Sequence, residues 1–167
     1  MTSGEEKLEK LMRREKLDGI LFWGTENLRY LSGFTGSDGA LVYTRDEKIF
    51  LTDSRYTEQA KGEVRGASIE QYRQKIRGIA GALKSLCPRR IGFEASALNF
   101  ESYRRLREQI PRAAWVPLTA EFAGLRAVKE PAEVVLLREA IRIASESFLK
   151  TASRLKPGVK EAAVAQS

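Results

Sequence analysis

Ile20, Leu21, Phe22 and Trp23 follow one another without a polar break, and this run constrains the fold more than any other feature of the chain. Successive side chains of a strand point to opposite faces, so a strand made of such a run needs apolar cover on both sides. That condition is met inside a sheet with a helical layer on each face. The neighbouring residues supply helices. Ser3 followed by Glu6 has the S-x-x-E form of a capping box, and Leu8, Leu11 and Met12 then fall on one face of a helix expected to stop around Asp18-Gly19. Thr25 is the expected cap of a short helix through Leu28 and Leu31.

Residues 33–39 are too glycine-rich for regular structure. Residues 40–44 and 48–52 flank the polar triplet Arg45-Asp46-Glu47, a spacing that predicts an antiparallel hairpin. A helix over about 54–64, a strand near 68–72 and a helix over about 77–86 follow, the last stopped at Cys87-Pro88 because proline cannot continue it. Residues 90–94 read as a strand. Asn99 caps a helix over 100–110 whose Phe100, Tyr103, Leu106 and Ile110 are expected to face inward, and 114–116 is the last strand. The prediction is an α/β domain of three layers, a mixed sheet covered by helices on both faces.

After Leu125 the texture changes. Glu130-Pro131 is a good helix start, and Val134, Leu137, Ile141, Ala144, Phe148, Ala152 and Leu155 recur at steps of three or four up to Pro157-Gly158. This predicts a long exit helix of roughly 25 residues, about twice the usual length. The expected organisation is therefore an amino-terminal domain over 1–125, then a linker and the first helix of a second, truncated domain over 126–167.

The chain has 167 residues and no histidine. Ser-His-Asp and Cys-His nucleophiles, histidine-containing zinc sites and imidazole acid–base chemistry are all outside its reach, leaving carboxylates, Lys, Tyr and Cys. No run approaches the ~20 apolar residues of a membrane span, and the amino terminus lacks the pattern of a signal peptide. With the single Cys87, these features point to the cytoplasm and to no membrane partner. Residues 65–112 hold eleven basic residues against four acidic ones and so carry the whole formal charge of +7. Arg104, Arg105 and Arg107 interrupt an apolar helical set, which reads as the wet face of a helix and makes nucleic acid a disfavoured partner.

Three features could carry chemistry. The glycine loop lacks the Gly-Lys-Ser/Thr ending of a phosphate cradle and leads into a strand, so it reads as a tight turn exposing Asp38, with Gly36 and Gly39 free to take positive φ. Asp18, Asp53 and Glu94 near strand ends could hold two metals in a nuclease, but each has a structural alternative: an Asp-Gly turn, a helix cap and a pair with a neighbouring Arg. Arg55, expected in the first turn of a helix capped by Asp53 or Ser54, opposes the helix dipole there and needs an anion beside it. Asp53 or Glu58 supplies it, or a substrate or partner carboxylate does.

Tyr30-Leu31-Ser32-Gly33-Phe34-Thr35-Gly36-Ser37-Asp38-Gly39, Phe50-Leu51-Thr52-Asp53-Ser54-Arg55-Tyr56 and Ile91-Gly92-Phe93-Glu94 resemble, in that order, the amino-terminal domain of the Xaa-Pro aminopeptidases and Xaa-Pro dipeptidases (prolidases). Leu125-Arg126-Ala127-Val128-Lys129-Glu130-Pro131-Ala132-Glu133, with the helix to Lys156-Pro157-Gly158, resembles the junction into their catalytic domain. The resemblance implies a ribonuclease H-like topology and a non-catalytic part of a metallopeptidase that cleaves before proline. It implies a pita-bread catalytic domain holding two divalent metal ions (manganese, cobalt or zinc) through two Asp, one His and two Glu, a set this chain cannot complete. The implied partners are that catalytic domain, a second copy in a homodimer and a proline-containing peptide, with Asp38, Arg55 and Tyr56 bordering the substrate. Creatinase has a related domain; methionine aminopeptidases lack it and are disfavoured. An interaction module that kept the fold without catalysis, and a nucleic-acid-binding or nuclease domain, are the alternatives.

Overall fold

The apolar run forms β1 (Gly19–Phe22), whose four residues are all buried. It lies inside a six-stranded sheet with β2 (Ala40–Thr44), β3 (Lys48–Thr52), β4 (Ser68–Gln71), β5 (Arg90–Glu94) and β6 (Ala114–Leu118), in the order β4-β3-β2-β1-β5-β6. The β1–β2 and β2–β3 pairs are antiparallel, and β1–β5, β3–β4 and β5–β6 are parallel. The computed structural model that shows this describes residues 3–165.

Alternation along the strands divides the core into two layers. Ile20, Phe22, Leu41, Tyr43 and Phe50 point to one face, under α1 (Ser3–Arg14), α2 (Thr25–Ser32), α3 (Thr57–Glu63) and α6 (Ala120–Ala127). Leu21, Ala40, Val42, Ile49 and Leu51 point to the other, under α4 (Lys75–Leu86) and α5 (Phe100–Gln109). The mixed sheet covered on both faces is as expected, and so is the hairpin across 45–47, with Ala40 opposite Leu51 and Tyr43 opposite Lys48.

Four local expectations are corrected. Helix α1 ends at Arg14, short of Asp18, because Lys16 takes a left-handed conformation with φ 54°; the Ser3 side chain expected to cap it lies outside the described residues. Gly24, not Thr25, occupies the cap position of α2. Phe100 is 77% exposed rather than inward, since it is the first residue of α5 and projects past the apolar face that Leu106 buries. Helix α6 is not announced by the sequence pattern after the last strand; it buries Phe122 and Leu125, and Phe122 meets Phe22 edge-on with ring centroids 5.1 Å apart. Asn99 does cap α5, accepting the Ser102 amide at 2.8 Å.

The chain divides into two compact units, the first running to the end of α6 at Ala127, past the expected boundary at 125. The second holds α7 (Pro131–Arg154), 24 residues long, and α8 (Glu161–Ala165). Pro131 at its first position starts α7 as the sequence suggests, and the structure adds a reciprocal Glu130/Glu133 capping box. Exposed Val135, Leu136, Ile143 and Leu149 join Leu137, Ile141 and Phe148, so apolar surface covers more than one side of that helix. Among the described residues, no helix is long and apolar enough to cross a membrane.

Candidate functional site

The strand directions gather the loops. The carboxyl ends of β1, β3, β4, β5 and β6 and the amino end of β2 all open on one edge of the sheet. Asp38 lies two residues ahead of β2, Asp53 and Arg55 follow β3, Tyr72 follows β4, Trp23 follows β1, and Lys75 begins α4. Loops at strand ends are where an α/β sheet places its ligand-handling side chains, because the sheet holds them rigidly while leaving them wet.

Asp38 is the hub of this rim. Its Oδ1 accepts a hydrogen bond from Nζ of Lys75 at 2.7 Å and its Oδ2 one from the Tyr72 hydroxyl at 2.7 Å, with Nη2 of Arg55 3.6 Å away. The Thr52 hydroxyl donates to the Asp38 carbonyl at 2.8 Å and ties the loop to the end of β3. Burial, and then the hydrogen bond to Asp38, push the Tyr72 phenol well above the usual tyrosine range, so it serves as a donor. Lys75 also sits over the Trp23 ring at 4.2 Å from its centroid.

Arg55 is clamped from the other side. Its Nε and Nη2 donate to Oδ2 of Asp53 at 2.9 and 2.7 Å, and its guanidinium lies 5.3 Å from the centre of the Tyr56 ring. The hydrogen bond from Arg55 holds the Asp53 carboxyl below the ordinary range. The helix-dipole argument fails here, because α3 begins at Thr57 and Tyr56 is its cap residue. Asp53 instead closes the turn before the helix, accepting the Arg55 amide at 2.9 Å, while Glu58 pairs with Lys61. Internal charge therefore satisfies one edge of Arg55. Its side chain is still 67% exposed, and among the described residues Nη1 has no partner.

Tyr56 shares a 2.7 Å hydrogen bond with the Ser37 hydroxyl and packs edge-on against Phe34, whose ring is buried below the loop. Gly36 is glycine for space rather than for positive φ, which neither it nor Gly39 adopts. A Cβ at 36 would stand 2.3 Å from the Phe34 ring and 2.9 Å from that of Tyr56. The three residues singled out from the sequence, Asp38, Arg55 and Tyr56, thus lie together on one rim.

The model of the creatinase/prolidase N-terminal domain matches residues 6–128. The chain belongs to that family.

Its relatives agree. The uncharacterized peptidase YqhT of Bacillus subtilis is 38% identical over 161 residues, which cover 96% of this chain and 46% of that protein. An Xaa-Pro dipeptidase from Bacillus anthracis superposes with a TM-score of 0.86 at 33% identity, over 98% of this chain and 47% of that one. The N-terminal domain of the cytoplasmic peptidase PepQ from Mycobacterium tuberculosis superposes at 0.70 and 26% identity, over 75% of this chain and all of that one. The chain thus spans less than half the length of the first two.

Within this creatinase/prolidase-type domain the three acids of the nuclease alternative do not meet. Asp18 lies at the opposite edge of the sheet, accepting the amides of Arg89 and Arg90 at 3.0 and 2.9 Å. Among the described residues Glu94 does not make the expected pair with a neighbouring Arg; it is 3% exposed and accepts the amides of Trp23 and Gly24 and the side-chain amide of Asn27. That carboxylate holds the amides just ahead of α2, while the helix itself has no side-chain cap bond. Arg104 and Arg105 pair with Glu101 on the wet face of α5.

Tyr72, Lys75 and Trp23 were not singled out from the sequence. One signal was present for Lys75: it starts a helix whose first turn has no acidic residue, the same unfavourable place for a cation that drew attention to Arg55.

Proposed function

We propose that this domain is the non-catalytic amino-terminal part of a metal-dependent Xaa-Pro peptidase, an aminopeptidase or dipeptidase, and that in a homodimer its rim borders an active site. The observation that carries the reading is the convergence of Asp38, Arg55 and Tyr56 on one sheet edge, in a chain similar over nearly all its length to less than half of such a peptidase. Arg55 presents an unused guanidinium edge, which matches a carboxylate of the substrate or of the facing catalytic domain.

The residues of this domain do not fit the two divalent metals. The rim carboxylates Asp38 and Asp53 are already neutralised by Lys75 and Arg55, Glu94 is filled by amide donors, and there is no histidine. Metal binding and bond cleavage belong, on this reading, to the catalytic domain. The purified 167-residue chain should accordingly show no turnover of Xaa-Pro peptides with manganese or cobalt added. Metal-dependent turnover by that preparation overturns the non-catalytic assignment.

In the longer peptidase, Arg55→Ala should raise KM or lower kcat for Xaa-Pro substrates by about tenfold, the size of one charge-assisted hydrogen bond. The melting temperature of the isolated domain should barely move, because the exposed pair with Asp53 contributes little to folding. Unchanged kinetics together with an unfolded domain would make Arg55 a structural residue and remove it from the site.

A further inference from the structure

Helix α3 buries a single residue, Ala60, and turns a polar face toward the glycine loop. Tyr56, Gln59 and Glu63 recur at helical spacing on that face and hold the loop at successive points. Tyr56 holds Ser37, and Nε2 of Gln59 donates to the Thr35 hydroxyl at 3.0 Å. Glu63 makes the densest grip: its Oε2 accepts the Thr35 amide at 2.7 Å, its Oε1 accepts the Thr35 hydroxyl at 2.9 Å, and Oε1 also accepts from Gln59 at 3.0 Å. These bonds, the one to the Thr35 amide first, keep the Glu63 carboxyl below the ordinary range, so it is an ionised acceptor at neutral pH.

The gripped segment is short and anchored at both ends. Gly33 starts it in a left-handed conformation with φ 81°, and the Arg65 amide, just past α3, donates to the Ser32 carbonyl at 3.0 Å. Three residues beyond Thr35 comes Asp38, whose carboxylate must reach Tyr72 and Lys75. Only Gly36 and Ser37 separate Thr35 from Asp38.

We infer that Glu63 is a positioning residue: by clamping Thr35 it sets where the loop presents the Asp38 carboxylate to the site. This rests on the reading of the rim as the border of an active site. Among the described residues the Glu63 carboxylate bonds only to Thr35 and Gln59 and lies outside the buried core, so its removal should shift the loop while the core stays intact.

The test is steady-state kinetics on an Xaa-Pro dipeptide and a longer Xaa-Pro peptide, using the full-length peptidase with Asp38→Asn, Glu63→Ala, Glu63→Gln and the double variant Asp38→Asn/Glu63→Ala. Glu63→Ala should lower kcat/KM by about 10- to 100-fold, the scale of a misplacement near 1 Å, chiefly through KM. Glu63→Gln keeps one carbonyl oxygen for the Thr35 amide and should recover most of that loss. The double variant should be no worse than Asp38→Asn alone, because residues acting through one another are not additive. Thermal unfolding of each variant keeps a folding defect separate from a kinetic one. Full activity in Glu63→Ala beside an impaired Asp38→Asn overturns the positioning role and leaves the rim reading standing. Losses that add in the double variant, or that follow melting temperature rather than KM, reduce Glu63 to a structural residue. Full activity in Asp38→Asn removes the rim reading itself.

Discussion

Replacing Glu94 with alanine should lower the unfolding free energy of the domain by about 3 kcal/mol, because each buried polar group left without a partner costs roughly 1–3 kcal/mol. Glu94 is almost wholly shielded from water, and its carboxylate takes the amides of Trp23 and Gly24 together with the side-chain amide of Asn27. Asn27 in turn accepts from Nε of Arg126 at 2.9 Å, so the loss spreads from the β1–α2 junction into α6. Urea unfolding followed by circular dichroism gives the number directly. Glu94→Gln, which retains one acceptor oxygen, should fall between wild type and alanine. A loss below about 1 kcal/mol for alanine would mean that water replaces the carboxylate, and that the junction is held by packing alone.

Phe34→Ala should be costlier still, about 3–5 kcal/mol, the usual range for emptying a buried aromatic site. The ring is 1% exposed, tilts against Phe50 with centroids 4.8 Å apart and meets Tyr56 edge-on at 5.9 Å. The Gly36 backbone lies directly on it, so the cavity would open beneath the loop that carries Asp38. Urea denaturation should show a lower midpoint with an unchanged slope, the signature of lost stability without a change of unfolded state. Phe34→Leu, which fills most of the volume, should lose less. A near-neutral Phe34→Ala would show that the polar grip of α3 holds the loop without its apolar floor.

Both variants act on contacts between residues far apart in the chain, and that separation marks how far the sequence can be read. Strands β2, β3 and β5 are legible to the residue because their signals are local: short runs rich in apolar residues, a polar triplet of hairpin length, and a proline that stops the preceding helix. The Asn99 cap and the start of α7 are legible for the same reason, since both the acceptor and the amide it takes lie within a few residues. The order of the glycine loop, the Phe50–Tyr56 segment, residues 91–94 and the 125–133 junction also points to the family, which the match over 6–128 bears out.

The tertiary structure decided which acceptor serves which donor. Thr25 is a good cap residue, yet Gly24 holds the cap position of α2 and its amide donates to Glu94, 70 residues further on, because the parallel pairing of β1 with β5 delivers that carboxylate to the junction. Asp53 is a good cap residue as well, yet it folds onto Arg55 and leaves the helix to begin at Thr57. Asp38 could be read as an exposed turn residue, while its partners Tyr72 and Lys75 are brought to it only by the sheet order β4-β3-β2. The sequence by itself therefore determined the strands, most of the helices, their alternation and the family. Only the packed sheet determined the rim, because a side chain's hydrogen-bond partner is chosen by distance in space, and local propensity carries no information about that.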